Sequence, residues 1–249
     1  MRLAEIKRAI QDDGFAIVES VLDEDAVVRL ANALQRVGES DALLRRQGAV
    51  FAVRNLLDLV PEITQLATSQ AISQLVELAL QGGSFPVRGI LFDKVPGANW
   101  MVPWHQDVTI AVRAKVETAG FGPWSMKAGA LHVQPPSWVL ENMISVRLHL
   151  DSCDETNGAL RVVPGSHRMG RIPEDEIGEH RNRLGECVCA VERGGALLMR
   201  PLLLHASSPS QTPDHRRVIH IDFAAAQLPN GMRWAAESII QGNSRKVSA

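Results

Sequence analysis

The stretch Val102-Pro-Trp-His-Gln-Asp-Val108 places His105 two residues before Asp107. On an extended strand, residues i and i+2 project to the same face, so one imidazole nitrogen and one carboxylate oxygen can reach the same metal ion. A third ligand has to come from elsewhere. His205 is the candidate, because the apolar run Leu202-Leu-Leu204 delivers it into the polar, loop-like segment Ala206-Ser-Ser208. Two imidazoles and one carboxylate on one face of an octahedron leave three positions open, an arrangement that suits Fe(II). A hydrogen-bonded structural pair satisfies the same spacing, and a second His-x-Asp, His220-Ile-Asp222, occurs downstream. Spacing alone leaves both readings open.

Arg216 lies eleven positions after His205 and, with Arg217, opens the apolar run Val218–Phe223. A guanidinium binds a carboxylate bidentately, so a buried Arg here suits a dicarboxylate. An Arg pair at a strand end in water is the plainer alternative. Strand alternation puts His220 and Asp222 on the same face as Arg216.

These residues need elements to hold them. Apolar residues at Leu3, Ile6 and Ile10 have helical spacing, and Asp13-Gly14 then turns the chain into a short strand, Phe15–Val18. Asp23 stands where an N-cap would, before a helix running through Leu30 and Leu34 to Val37. Another helix is predicted over Ile63–Leu80, which makes the first third mostly helical. From Phe85 the pattern changes to short apolar or alternating runs: Val87–Val95, Trp104–Val112, Ala130–Val133, Met143–Leu150, Leu160–Val163, Ala196–Met199 and Arg217–Ala224. Pro and Gly break them, as a β sandwich or barrel requires. We expect one domain over 1–249, with a mainly helical part at 1–84 and a mainly β core at 85–249.

Composition narrows the chemistry. The chain has 249 residues, 26 Lys+Arg against 28 Asp+Glu, three Cys and no Tyr. The charge balance gives no reason to expect a nucleic-acid partner. The cysteine pattern indicates neither a disulfide framework nor a Cys-rich zinc module. Without Tyr, no tyrosine acid or nucleophile is available. No run approaches a membrane span and no signal-peptide core is visible, so a cytoplasmic protein is expected. No βαβ alternation or phosphate-binding glycine motif points to a nucleotide fold.

Several residues have plain structural readings. Asn157-Gly158 and Pro164-Gly165 are turn signals, which makes His167 a turn residue. His132 and His149 read as core or edge positions, and Cys187 and Cys189 as small core residues. Trp100, Trp104 and Trp124 are pocket walls or simple packing. Arg88, Arg113, Arg147 and Gln134 hint at a polar pocket. The segment 113–127 is a candidate lid.

In order along the chain come Gly14-Phe-Ala-Ile-Val18, Trp104-His-Gln-Asp107, Asn157-Gly-Ala-Leu-Arg-Val-Val-Pro-Gly-Ser-His167, His205-Ala-Ser207 and Arg216. In this combination the sequence resembles the phytanoyl-CoA dioxygenase family of Fe(II)/2-oxoglutarate oxygenases. The resemblance spans nearly the whole chain. It implies a mainly β fold with N-terminal helices, a double-stranded β-helix of jelly-roll, cupin-like type. It implies iron held by His105, Asp107 and His205. The cosubstrate 2-oxoglutarate would have its distal carboxylate held by Arg216 and Ser207, with Lys94 nearby. It further implies O2 as oxidant, a small-molecule substrate and release of succinate and CO2. Arg147 departs from the family, which often has an aromatic residue there. Asp107 favours hydroxylation over halogenation, because related halogenases carry a small residue in its place. Three alternatives remain: a cupin-like metalloprotein that does not use 2-oxoglutarate, a zinc hydrolase, against which the missing HExxH counts, and a non-catalytic binding protein on the same fold.

Overall fold

A computed structural model describes residues 2–38, 42–127, 129–211 and 214–236. Helix α1 (Leu3–Asp12) buries Ile6 and Ile10, one turn apart, and leaves Leu3 exposed. Strand β1 (Phe15–Val18) follows the Asp13-Gly14 turn. Helix α2 (Glu24–Gln35) starts at Asp23, whose carboxylate accepts from the Ala26 N–H at 2.7 Å.

The next segment departs from the helical expectation. Strands β2 (Leu43–Arg46) and β3 (Ala49–Val53) form a hairpin about Gln47-Gly48. Both turn residues have positive φ, the geometry that a two-residue hairpin demands. The predicted Ile63–Leu80 helix is broken in two. After the short α3 (Leu56–Leu59) come α4 (Pro61–Ala67) and α5 (Gln70–Glu77). At the break the Thr68 hydroxyl turns back to the Thr64 carbonyl at 2.9 Å, and Ser69 caps the new helix. Such side chains compete with the helix ladder for backbone groups.

The remaining strands are β4 (Phe85–Asp93), β5 (Val102–His105), β6 (Ile110–Val112), β7 (Trp124–Lys127), β8 (Ala130–Val133), β9 (Met143–His149), β10 (Leu160–Val162), β11 (Cys187–Cys189), β12 (Ala196–Met199), β13 (His205–Ser207) and β14 (Arg217–Ala224). Two short helices, α6 (Ser137–Glu141) and α7 (Ile177–Leu184), interrupt them. A seven-stranded sheet runs β1-β12-β9-β14-β4-β3-β2, and a four-stranded one runs β11-β10-β13-β5. The pairings within both are antiparallel. The N-terminal part therefore supplies three strands of the main sheet as well as helices.

Alternation along the central strands sorts the molecule into layers. Ile144, Val146 and Leu148 of β9, with Ile219, Ile221 and Phe223 of β14, pack in one cluster with Ile10, Leu30, Leu56, Ile63 and Ile72 of the helices. Each such side chain contributes about 1.5–3 kcal/mol by leaving water. The intervening residues Ser145, Arg147, His149, His220 and Asp222 are also buried, on the opposite face. They turn toward the smaller sheet. A strand buried on both faces but polar on one has to satisfy its polar groups internally, and the site occupies that face. A second cluster, with Leu160, Val162, Leu197 and Met199, ties the two sheets together. Together these sheets form the double-stranded β-helix.

Candidate active site

His105 is the last residue of β5, and His205 opens β13 directly opposite it. The two rings lie 4.2 Å apart between centroids. The segment after Leu204 is thus a buried strand rather than a loop. Asp107, by contrast, lies beyond β5, so strand alternation is not what presents it. A clamp does so instead. The Asp107 N–H donates to the Pro201 carbonyl at 2.9 Å. Gln106 donates to the carbonyls of Leu202 at 2.6 Å and Gly170 at 2.9 Å, and accepts from the Ile172 N–H at 2.8 Å. These bonds fold the chain after His105 against the approach to His205.

One donor atom from each of His105, Asp107 and His205 lies within 4.8 Å of the others. In both rings Nδ1 faces a backbone carbonyl: Pro103 at 2.8 Å for His105 and Leu203 at 2.9 Å for His205. A carbonyl only accepts, so Nδ1 carries the proton and Nε2 presents its lone pair. Burial pushes the His205 imidazole down to about 4, so it holds no competing proton at neutral pH. Burial works to raise the Asp107 carboxyl, but positive charge nearby, with Arg88 its permanent source, outweighs it and holds it below the ordinary range. Two imidazoles and one carboxylate fit a divalent metal ion with open positions.

The triad opens on a cavity of about 320 Å³ between the two sheets, with Ile90, Phe92 and Leu160 among its apolar walls. Ser207 and Arg216 also line it. Arg216 is buried, and its Nη1 donates to the Gly158 carbonyl at 3.0 Å. Its Nε has no partner among the described residues, which leaves a buried cation ready for a carboxylate. Lys94 is fully buried but does not line the cavity. Its ammonium donates to Ser207 Oγ at 2.6 Å and to the Ser208 carbonyl, so it stands behind that hydroxyl, whereas the resemblance implied a place near the cosubstrate. Gly158 is required on two counts. Its φ is +83°, and a Cβ would come within 2.6 Å of the Ser208 oxygen and 2.8 Å of the Lys94 ammonium.

The second His-x-Asp forms a buried network. Asp222 pairs with Arg88 and accepts from Ser145 Oγ at 2.6 Å. His220 bonds Asp222 through Nε2 at 2.8 Å and Arg147 through Nδ1 at 2.9 Å. Arginine only donates, so the His220 proton sits on Nε2 and points at Asp222. Burial alone would raise the Asp222 carboxyl, but Arg88 and His220 hold it far below its usual range. His220 and Arg147 both line the cavity.

Other expected residues separate. Arg88 and Trp100 line the cavity; Arg113 and Gln134 do not. Trp104 is held outside it between Arg161 and Arg181. Trp124 packs in a separate apolar cluster. The end of the candidate lid is strand β7, paired with β8. His167 packs on Gly14, where a Cβ would meet its ring at 2.4 Å, so it is a structural residue as read. His132 and His149 are both buried. Cys189 is buried, but Cys187 is exposed and not a core residue, because β11 lies at the edge of its sheet. The sequence reading missed Gln106 and two cavity cations, Arg54 and Lys127. Arg54 follows β3, in a region read as helical; the Gln47-Gly48 turn was the available signal.

Two imidazoles and a carboxylate, converging between the sheets of a double-stranded β-helix, are a donor set that could hold one metal ion. Residues 10–218 match the family model described as phytanoyl-CoA dioxygenase, and the chain belongs to that family. A probable alpha-ketoglutarate-dependent hypophosphite dioxygenase of Stutzerimonas stutzeri is 24% identical over 263 residues, covering 90% of this chain and 79% of that protein. The crystal structure of AviO1 from Streptomyces viridochromogenes Tue57 is similar with a TM-score of 0.68 and 25% identity, covering 92% of this chain and 97% of that one. The crystal structure of EctD from S. alaskensis with 2-oxoglutarate and 5-hydroxyectoine has a TM-score of 0.70 at 20% identity, covering 89% and 76%, and shows a shared fold.

Proposed function

We propose that this chain is an Fe(II)- and 2-oxoglutarate-dependent oxygenase that hydroxylates a small molecule, with release of succinate and CO2. The observation that carries the reading is the convergence of His105, Asp107 and His205 in the cavity that also holds Arg216 and Ser207. Bound iron, together with 2-oxoglutarate and O2, supplies the oxidising chemistry. The protein's own residues bind, orient and shield. His105, Asp107 and His205 hold the metal from one side and leave the other to cosubstrate and substrate. Arg216 and Ser207 take the distal carboxylate, with Lys94 fixing the Ser207 hydroxyl. Ile90, Phe92 and Leu160 keep water from the reacting centre. Asp107 fills the position that a halide would need, which favours hydroxylation.

The test is succinate formation from 2-oxoglutarate with Fe(II) in air, paired with anaerobic titration of 2-oxoglutarate into the iron-loaded protein. The expected result is a weak visible charge-transfer band and turnover. Protein that neither binds 2-oxoglutarate nor develops the band overturns the proposal. His105→Ala and His205→Ala are expected to abolish iron binding, whereas Arg216→Ala mainly raises the 2-oxoglutarate requirement.

A further inference from the structure

The cavity carries more positive charge than the proposed cosubstrate uses. Five cations line it, Arg54, Arg88, Lys127, Arg147 and Arg216, against one carboxylate, Asp107. The chain as a whole carries a net charge of −2, so this is a local concentration. The cations fall into two groups. Arg216 forms the carboxylate anchor, with the buried Lys94 behind Ser207, and Arg147 is tied to His220 at 2.9 Å. Arg54, Arg88 and Lys127 instead share a small recess beside the cavity that Arg216 and Ser207 do not reach.

This second group is incompletely paired among the described residues. Arg54 has no ion pair, and its buried Nε has no hydrogen-bond partner. The partner of Lys127 is a neutral hydroxyl, Thr109 Oγ1 at 3.1 Å. Arg88 pairs with Asp222 through Nε, which leaves its two terminal nitrogens for another acceptor. Burial and then Arg88 lower the pKa of Arg54, and burial, Arg88 and Arg54 lower that of Lys127. Three cations from β3–β4 and β7 repel one another in a half-buried space, and a bound anion would relieve that cost. Thr109 lies two residues after Asp107, so the group sits next to the metal triad.

Building on the function proposed above, we infer that the substrate is a small oxyanion, a carboxylate or a phosphonate, whose head group is held by Arg54, Arg88 and Lys127. Guanidinium and ammonium together match the geometry of such a group. A cavity of about 320 Å³, shared with the cosubstrate, restricts the substrate to a small molecule.

The experiment is anaerobic calorimetry on iron-loaded protein saturated with 2-oxoglutarate, titrated separately with acetate, methylphosphonate and neutral acetamide. At least one anion is expected to bind saturably below about 10 mM, and acetamide is not. The tighter arm identifies carboxylate or phosphonate. Arg54→Gln and Lys127→Met are each expected to weaken that anion by about tenfold or more, and Arg54→Lys to restore part of the loss. Affinity for 2-oxoglutarate should stay within about twofold in all three variants, whose melting curves check folding. The inference is overturned if neither anion saturates, if acetamide binds as well as the tighter anion, or if both charge-removing variants bind like the parent. Failure of 2-oxoglutarate to bind is a separate result that sinks the proposed function. The same variants, titrated without it, then still decide the anion site.

Discussion

Lys94 is a charge held one side chain away from the cavity. Burial, and then the neighbouring Arg216, bring its pKa down to about 7. A carboxylate arriving at Ser207 and Arg216 favours the protonated ammonium and raises that value in the complex. The sign follows. Below pH 7 Lys94 is already charged, so this group leaves 2-oxoglutarate affinity unchanged. Above pH 7 binding takes up a proton, and affinity weakens as pH rises toward the pKa of the complex. Calorimetry at pH 8 in buffers of different ionisation enthalpy should therefore report proton uptake, and Lys94→Met should remove it. Uptake that persists in that variant would assign the proton to another group. The Asp222 cluster was legible as a His-x-Asp, but its partners Arg88, Ser145 and Arg147 come from two other strands and were not.

The two segments that carry the ligands depend on each other. Gln106 and Asp107 hold their position through carbonyls at Pro201, Leu202 and Gly170. Gln106→Ala should lower metal affinity about 10- to 100-fold, while leaving the far-ultraviolet circular dichroism as it is. Wild-type affinity in that variant would mean that the Asp107–Pro201 bond suffices. Gly158 sits at the turn before β10 with the anchor folded around it. Gly158→Ala forces a Cβ into the Ser208 carbonyl at a positive φ, and should cost about 1–3 kcal/mol. A lower melting temperature together with a weaker 2-oxoglutarate interaction checks it. The Asn-Gly pair announced a turn in the sequence; that its Gly backs onto Lys94 did not follow, because the 63 intervening positions carry no record of that contact.

At the scale of the whole molecule, the main sheet is the wall between the helices and the site. Leu148→Ala on its helix-facing side should cost about 2–5 kcal/mol in unfolding free energy. It should leave the metal affinity of the folded protein unchanged, because the opposite face of β9 carries the site residues. Chemical denaturation and metal titration on the same variant separate the two effects. Iron with 2-oxoglutarate should add about 2.7 kcal/mol of stability at a hundredfold excess over Kd, read as a rise in melting temperature. Among the described residues no helix is long and apolar enough to cross a membrane. The chain's own sequence determined the strands Phe15–Val18, Ala130–Val133, Ala196–Met199 and Arg217–Ala224, whose bounds follow from local alternation and flanking turns. It also determined which side chains have metal-ligand chemistry. Tertiary structure decided the rest: the β2–β3 hairpin in a stretch without clear alternation, the clamp that presents Asp107 from off the strand, and the gathering of Arg54, Arg88 and Lys127. The physical reason is that periodicity records which way a side chain faces within its own element, whereas charge density in a cavity depends on contacts between residues far apart in the chain.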